Sequence, residues 1–180
     1  MSRTRCSLVV VAVCLTACHK NADKAAASGS AAPPAPAPAP AAAAAPGHGV
    51  IVHAKLTVSG AVTGTAEYTV KPDAASCADY AAKFEMPQSN DAKLGNGQSI
   101  VLSDSPEKYH GPGTYTAAEL DQASATLSVN DSDEPYQPLD KGSTRSLTVN
   151  ADGSGTYAFA SWLDPGSKVV SGTLTWTCGS

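Results

Sequence analysis

Val50-Ile51-Val52-His53-Ala54-Lys55-Leu56-Thr57-Val58-Ser59 sets Val50, Val52, Ala54, Leu56 and Val58 on one parity, against Ile51, His53, Lys55, Thr57 and Ser59 on the other. An extended chain turns successive side chains to opposite faces, so the run predicts a strand with one buried face. The pattern returns after Gly60 and Gly64, with Ala66, Tyr68 and Val70 inward and Glu67, Thr69 and Lys71 outward. Pro72 stops it, because proline has no amide to give to a ladder. Together the two runs predict an antiparallel pair.

The far end of the chain reads the same way. After a turn at Asp164-Pro165-Gly166-Ser167, one parity carries Val170, Gly172, Leu174, Trp176 and Cys178, and the other Ser171, Thr173, Thr175 and Thr177. Between the two ends lie expected strands at Ser99–Ser103, Thr114–Ala117 and Ala123–Val129, and around Leu147 and Val149. A hairpin turn is expected at Asp152-Gly153, with Tyr157 and Phe159 beyond it on one face. Residues 73–86 fit a helical stripe and a strand equally well by periodicity. Their alanine content, with Ser76 three residues before Asp79 as a weak cap, favours a short helix. About eight short strands predict an all-β fold, a single antiparallel β-sandwich over residues 50–180, with a small β-barrel as the alternative.

The N-terminal third obeys different rules. Arg3 and Arg5 precede a brief apolar run from Leu8, which closes on Leu15-Thr16-Ala17-Cys18, the layout of an export signal over residues 1–17. The apolar stretch is too short to span a bilayer, which takes ~20 residues. Residues 18–49 are dominated by Ala, Pro, Ser and Gly, with alternating Ala-Pro from Pro34 to Pro40. Such a stretch has nothing to bury and reads as a disordered linker. Fully extended at ~3.1 Å per residue, His19 to Gly49 would reach ~95 Å.

Residues 1–18 resemble the signal peptides of bacterial lipoproteins, in which the lipobox cysteine receives diacylglycerol and becomes the first residue of the mature chain. The resemblance implies lipidation of Cys18, fatty-acylated with palmitate or its like, and a location at the cell envelope on a membrane, inner or outer. Each buried methylene adds ~0.8 kcal/mol, and two acyl chains hold a protein stably. With Gly111-Pro112-Gly113-Thr114-Tyr115 and Ser171-Gly172-Thr173-Leu174-Thr175-Trp176-Thr177-Cys178, the chain as a whole resembles small β-rich bacterial envelope lipoproteins of unassigned function. That likeness implies a lipid-anchored β domain and transfers no catalytic or ligand residue.

From Val50 onward eight Lys and Arg stand against fifteen Asp and Glu, a net charge of −7. No basic cluster offers itself to phosphates, so nucleic acid is not an expected partner. Of five cysteines, Cys6 and Cys14 leave with the signal and Cys18 carries lipid, which leaves Cys77 and Cys178 for the folded domain. Outside the cytoplasm two such thiols predict one disulfide.

Catalytic signatures are sparse. His53 falls on a polar strand face and His110 in a glycine-rich loop, and no G-x-S-x-G, H-E-x-x-H or P-loop occurs. Asn150-x-Asp152-x-Ser154-Gly155 imitates a calcium loop, but its twelfth position is Ser161 where a bidentate Glu is needed, so it reads as a hairpin turn. Asp131, Asp133, Glu134 and Asp140 read first as a solvated loop and second as a calcium cradle. No metal or cofactor is therefore expected. Trp162, opposite in parity to Tyr157 and Phe159, reads first as packing into the second layer or against the adjoining turn, and second as the best candidate for stacking on a saccharide. The expected function is a non-catalytic binding or interaction domain for an envelope protein or saccharide, with a loop-built hydrolase or metal-dependent enzyme as the alternative.

Overall fold

A computed structural model describes residues 49–179. The leader, Cys18 and the linker to residue 48 lie outside the described residues. The first strand, β1 (Ile51–Gly60), buries Val52, Ala54, Leu56 and Val58 and leaves His53, Lys55 and Thr57 exposed, as the alternation requires. β2 (Gly64–Val70) returns antiparallel, with Leu56 opposite Ala66, and Pro72 lies just past its end.

Next comes a helix, α1 (Cys77–Ala82). The Ser76 hydroxyl accepts from the Asp79 amide at 3.1 Å and the Asp79 carboxylate accepts from the Ala75 amide at 3.1 Å, so the two side chains satisfy end amides reciprocally. That local bonding decides the helix over the strand.

The remaining strands are β3 (Ile100–Ser103), β4 (Gly113–Thr116), β5 (Thr126–Val129), β6 (Thr144–Val149), β7 (Gly155–Leu163) and β8 (Val169–Gly179). Six pair antiparallel in the order β2-β1-β8-β7-β6-β4, and β3 pairs with β5 in a second sheet. The fold is all-β, and the sheets do not close into a barrel, since β2 and β4 end the larger sheet. β5 is shorter than the expected Ala123–Val129. The Asp121 carboxylate accepts from the Ala123 amide at 3.0 Å, and the Asp121 carbonyl accepts from the Ser124 hydroxyl at 3.1 Å, so the chain turns there before extending.

The core joins the inward rows of the large sheet to Ile100, Leu102, Leu127 and the helix residues Tyr80 and Ala81. Trp176 stacks on Phe84 at 5.4 Å and donates its indole N–H to the Gly153 carbonyl at 2.9 Å. Gly155 lies under that ring, where a Cβ would fall 2.1 Å from Trp176 Cζ2 and 2.4 Å from the Thr148 carbonyl. Cys77 and Cys178 form a disulfide, Cα atoms 5.7 Å apart, that ties α1 to the last strand.

Trp162 corrects the expected strand parity and the stacking reading built on it, and agrees with the packing reading. Between β7 and β8, Phe159 faces Gly172 while Trp162 faces Val170, so β7 carries one extra residue. Ser161 adopts a φ of 58° at this bulge and its amide donates to the Ser171 hydroxyl at 3.0 Å. A bulge reverses the parity of the residues beyond it. Trp162 is thereby returned to the inner face, fully buried at 0% exposure and 4.7 Å from the Phe159 ring. It offers no surface for a sugar.

Candidate functional site

A cleft of about 490 Å³ opens at the C-terminal end of β2. One wall is Val70, Lys71 and Pro72, another is Tyr80 of α1 with the segment from Phe84 to Gln88, and the third is Ser103–Pro106. Each wall has a local cause. Pro72 ends the ladder, and the Tyr68 and Tyr80 hydroxyls hold the 85–87 segment by donating to the carbonyls of Pro87, at 2.9 Å, and Glu85, at 2.8 Å. Burial pushes the Tyr68 phenol up to about 12 and raises Tyr80 as well, so both stay neutral donors.

Beneath the third wall lies a buried polar network. Asp104, 2% exposed, accepts from Arg145 Nη1 on both carboxylate oxygens, Oδ1 at 3.2 Å and Oδ2 at 3.1 Å. It also accepts from the Tyr157 hydroxyl at 2.5 Å and the Ser105 amide at 2.7 Å. The Arg145 guanidinium further donates to the carbonyls of Leu120, at 2.8 Å, and Asp121, at 3.0 Å, and to Gln122 Oε1 at 3.2 Å. Burial raises the Asp104 carboxyl above the usual range, while the Tyr157 bond, the Arg145 charge and the Ser105 amide pull it down. Burial and the neighbouring Asp104 raise the Tyr157 phenol further still. Buried ions persist only when they are paired and hydrogen-bonded, and here both Asp104 oxygens and both terminal nitrogens of Arg145 have partners. The network fixes the Asp104 end of β3 against β6 and β7, and with it the floor of the cleft.

The groups left for chemistry in the cleft are Lys71, Glu85, Gln88 and two serines. Ser103 Oγ accepts from Gln88 at 3.3 Å and Ser105 Oγ meets Ser124 Oγ at 3.1 Å, so neither serine is hydrogen-bonded to a histidine. The arrangement offers apolar contact, hydrogen bonds and single charges.

The other candidates lie elsewhere. His53 lines a groove of about 450 Å³ on the outer sheet face, with its Nδ1 3.3 Å from Thr69 Oγ1. His110 stacks on Tyr115 at 4.5 Å and places Nε2 3.9 Å from Glu119 Oε1, both side chains about half exposed and outside the cleft. Asp140 caps its own turn, accepting from the amides of Gly142 and Ser143 at 2.8 Å. Asp152 does the same for Ser154 at 3.0 Å, the hairpin expected there. Among the described residues no three His, Cys, Asp or Glu side chains converge on a point that would hold a metal ion.

Sequence reading missed Asp104 and Arg145, although a signal was there. Asp104 continues the inward parity of Ile100 and Leu102, and Arg145 that of Leu147 and Val149. Opposite charges on two buried parities are a pair waiting to meet. Comparison with known protein families, with curated proteins and with solved structures finds no match.

Proposed function

We propose that the chain is a lipid-anchored protein of the bacterial cell envelope, held through Cys18, whose β-sandwich is a non-catalytic binding or interaction domain carried on the 18–49 linker. The lipobox Leu15-Thr16-Ala17-Cys18 supports the anchor. The binding role rests on one observation, a cleft that opens at the end of a sheet edge and mixes apolar walls with Lys71, Gln88 and the two serines. Pockets of this size and mixture suit recognition.

A photoreactive residue at Gln88, in intact cells carrying the full-length protein, should capture a defined partner. Capture should survive His53→Ala and His110→Ala and lose its localisation with Cys18→Ser. The second reading is a loop-built hydrolase, favoured by the approach of His110 to Glu119. If the purified protein turned over a substrate and His110→Ala abolished that turnover, the hydrolase would replace the binding domain.

A further inference from the structure

We infer that the outer edge of β2 is a docking strand for an extended peptide that places an apolar side chain in the neighbouring cleft and a carboxylate against Lys71. This names the class of partner for the binding role proposed above and rests on that role.

The backbone directions are set by one bond. The Ala61 amide donates to the Val169 carbonyl at 2.8 Å, which continues the β1–β8 register from Gly60 opposite Val170. Antiparallel neighbours alternate between bonded and non-bonded pairs, so odd residues of β1 bond to β8 and even ones to β2. Ala54 then bonds Tyr68 and Leu56 bonds Ala66, and the intervening Thr65, Glu67 and Thr69 turn their N–H and C=O groups away from β1. Among the described residues none of these groups has a hydrogen-bond partner.

The opposite edge of the same sheet is treated differently. The Asn150 amide donates to the Ser154 carbonyl at 2.8 Å, and the same alternation carried across β6 turns Thr114 and Thr116 of β4 outward. There the Thr116 amide donates to Glu119 Oε2 and the Thr116 carbonyl accepts from the Glu119 amide, both at 2.9 Å. Glu119 thus caps the Thr116 end of that edge, while the main-chain groups of Thr114 have no partner among the described residues. An edge strand left open is a template for pairing unless something blunts it. On β2 the one acidic side chain, Glu67, is held by Lys55 at 2.9 Å, on the adjoining strand.

The open edge also leads somewhere. Val70, Lys71 and Pro72 carry the line of β2 into the cleft, whose walls include Tyr80, Met86 and Pro106. Strand addition draws affinity from main-chain bonds and specificity from pockets for alternate side chains. Lys71 has no ion-pair partner among the described residues, whereas Glu85 stands on the wall across from it. A carboxylate is therefore matched on the Lys71 side and mismatched on the other.

The test uses the full mature protein in detergent and a capped peptide of alternating Thr and Val with one central Glu. Titration should show saturable binding. N-methylating alternate amides of one parity should weaken it at least tenfold, while the other parity leaves it unchanged. Thr65→Pro and Thr69→Pro each remove an outward N–H without touching a ladder bond, where a strand tolerates proline. Each should cost at least tenfold in affinity with the β-sheet spectrum retained. Should the proline variants fail to fold, Lys71→Glu decides: it should weaken the Glu peptide tenfold and favour the same peptide with Lys in place of Glu.

No binding at millimolar peptide, equal binding of both N-methylated forms, or indifference to the edge and Lys71 substitutions would overturn the inference. So would a concentration-dependent dimer abolished by both proline variants, since the edge would then belong to a second copy. If these fail while the Gln88 probe still captures a partner in cells, the docking strand is wrong and the binding domain stands. If Gln88 also captures nothing, both are wrong.

Discussion

Truncating Asp104 to Ala would strike the network that holds the cleft floor. The substitution removes the acceptor of the Tyr157 hydroxyl, of the Ser105 amide and of Arg145 Nη1, all of them on or next to buried atoms. Arg145 would keep the Leu120 and Asp121 carbonyls but lose its counter-charge. Removing one partner of a buried ion pair costs about 3–5 kcal/mol, a large part of the ~5–15 kcal/mol that holds a domain together. Urea unfolding at neutral pH, monitored by circular dichroism, should show a loss of that size with little change in slope. Asp104→Asn keeps an acceptor oxygen and should cost less. Because burial raises the Asp104 carboxyl in the folded state, the folded protein holds that proton to higher pH than the unfolded chain does. The stability difference between wild type and Asp104→Asn should therefore shrink as pH rises from about the ordinary carboxylate value through the raised one, and then level off. A cost for Asp104→Ala within about 1 kcal/mol of zero, or a difference that widens with pH, would refute the reasoning; the second would mean that Arg145 outweighs desolvation.

Other consequences are simpler to state. The disulfide closes a loop spanning 101 residues, so reduction or Cys77→Ser with Cys178→Ser should remove up to about 4.7 kcal/mol on the chain-entropy model and lower the melting temperature. Two free thiols found by alkylating unreduced, unfolded protein would contradict the bond. Gly155→Ala would set a methyl against Trp176 and the Thr148 carbonyl. Overpacking there should cost at least ~1–3 kcal/mol and perturb the Trp176 fluorescence; a neutral result would mean that the ring moves freely.

The strands were legible where solvent lies on one side only. Val52 to Val58 and Val170 to Cys178 announce their buried faces because every second residue is apolar. The helix was decided by two short polar residues, Ser76 and Asp79, which a periodicity count alone leaves ambiguous. Alternation failed at Ser161, where a single inserted residue reversed the parity of Trp162 and took a candidate ligand contact into the core. Nothing before Ser161 in the strand announces the reversal, since the bulge is settled by pairing with β8. The start of β5 failed for the opposite reason: Asp121 offers local bonds that compete with the ladder. The cleft was not legible at all, because Lys71, Tyr80, Gln88 and Ser103 are brought together only by the packing of the two layers.

Cys18 matters most to the proposed role, because it fixes where the domain works. Intact-mass analysis of the mature protein, extracted from its native membrane into detergent, should find a chain beginning at Cys18 and heavier than its peptide mass by a diacylglyceryl group, with or without a further acyl chain. The Cys18→Ser form should accumulate as unprocessed precursor. An unmodified mature chain starting at another residue and recovered in the aqueous fraction would contradict the lipid anchor and the envelope role built on it.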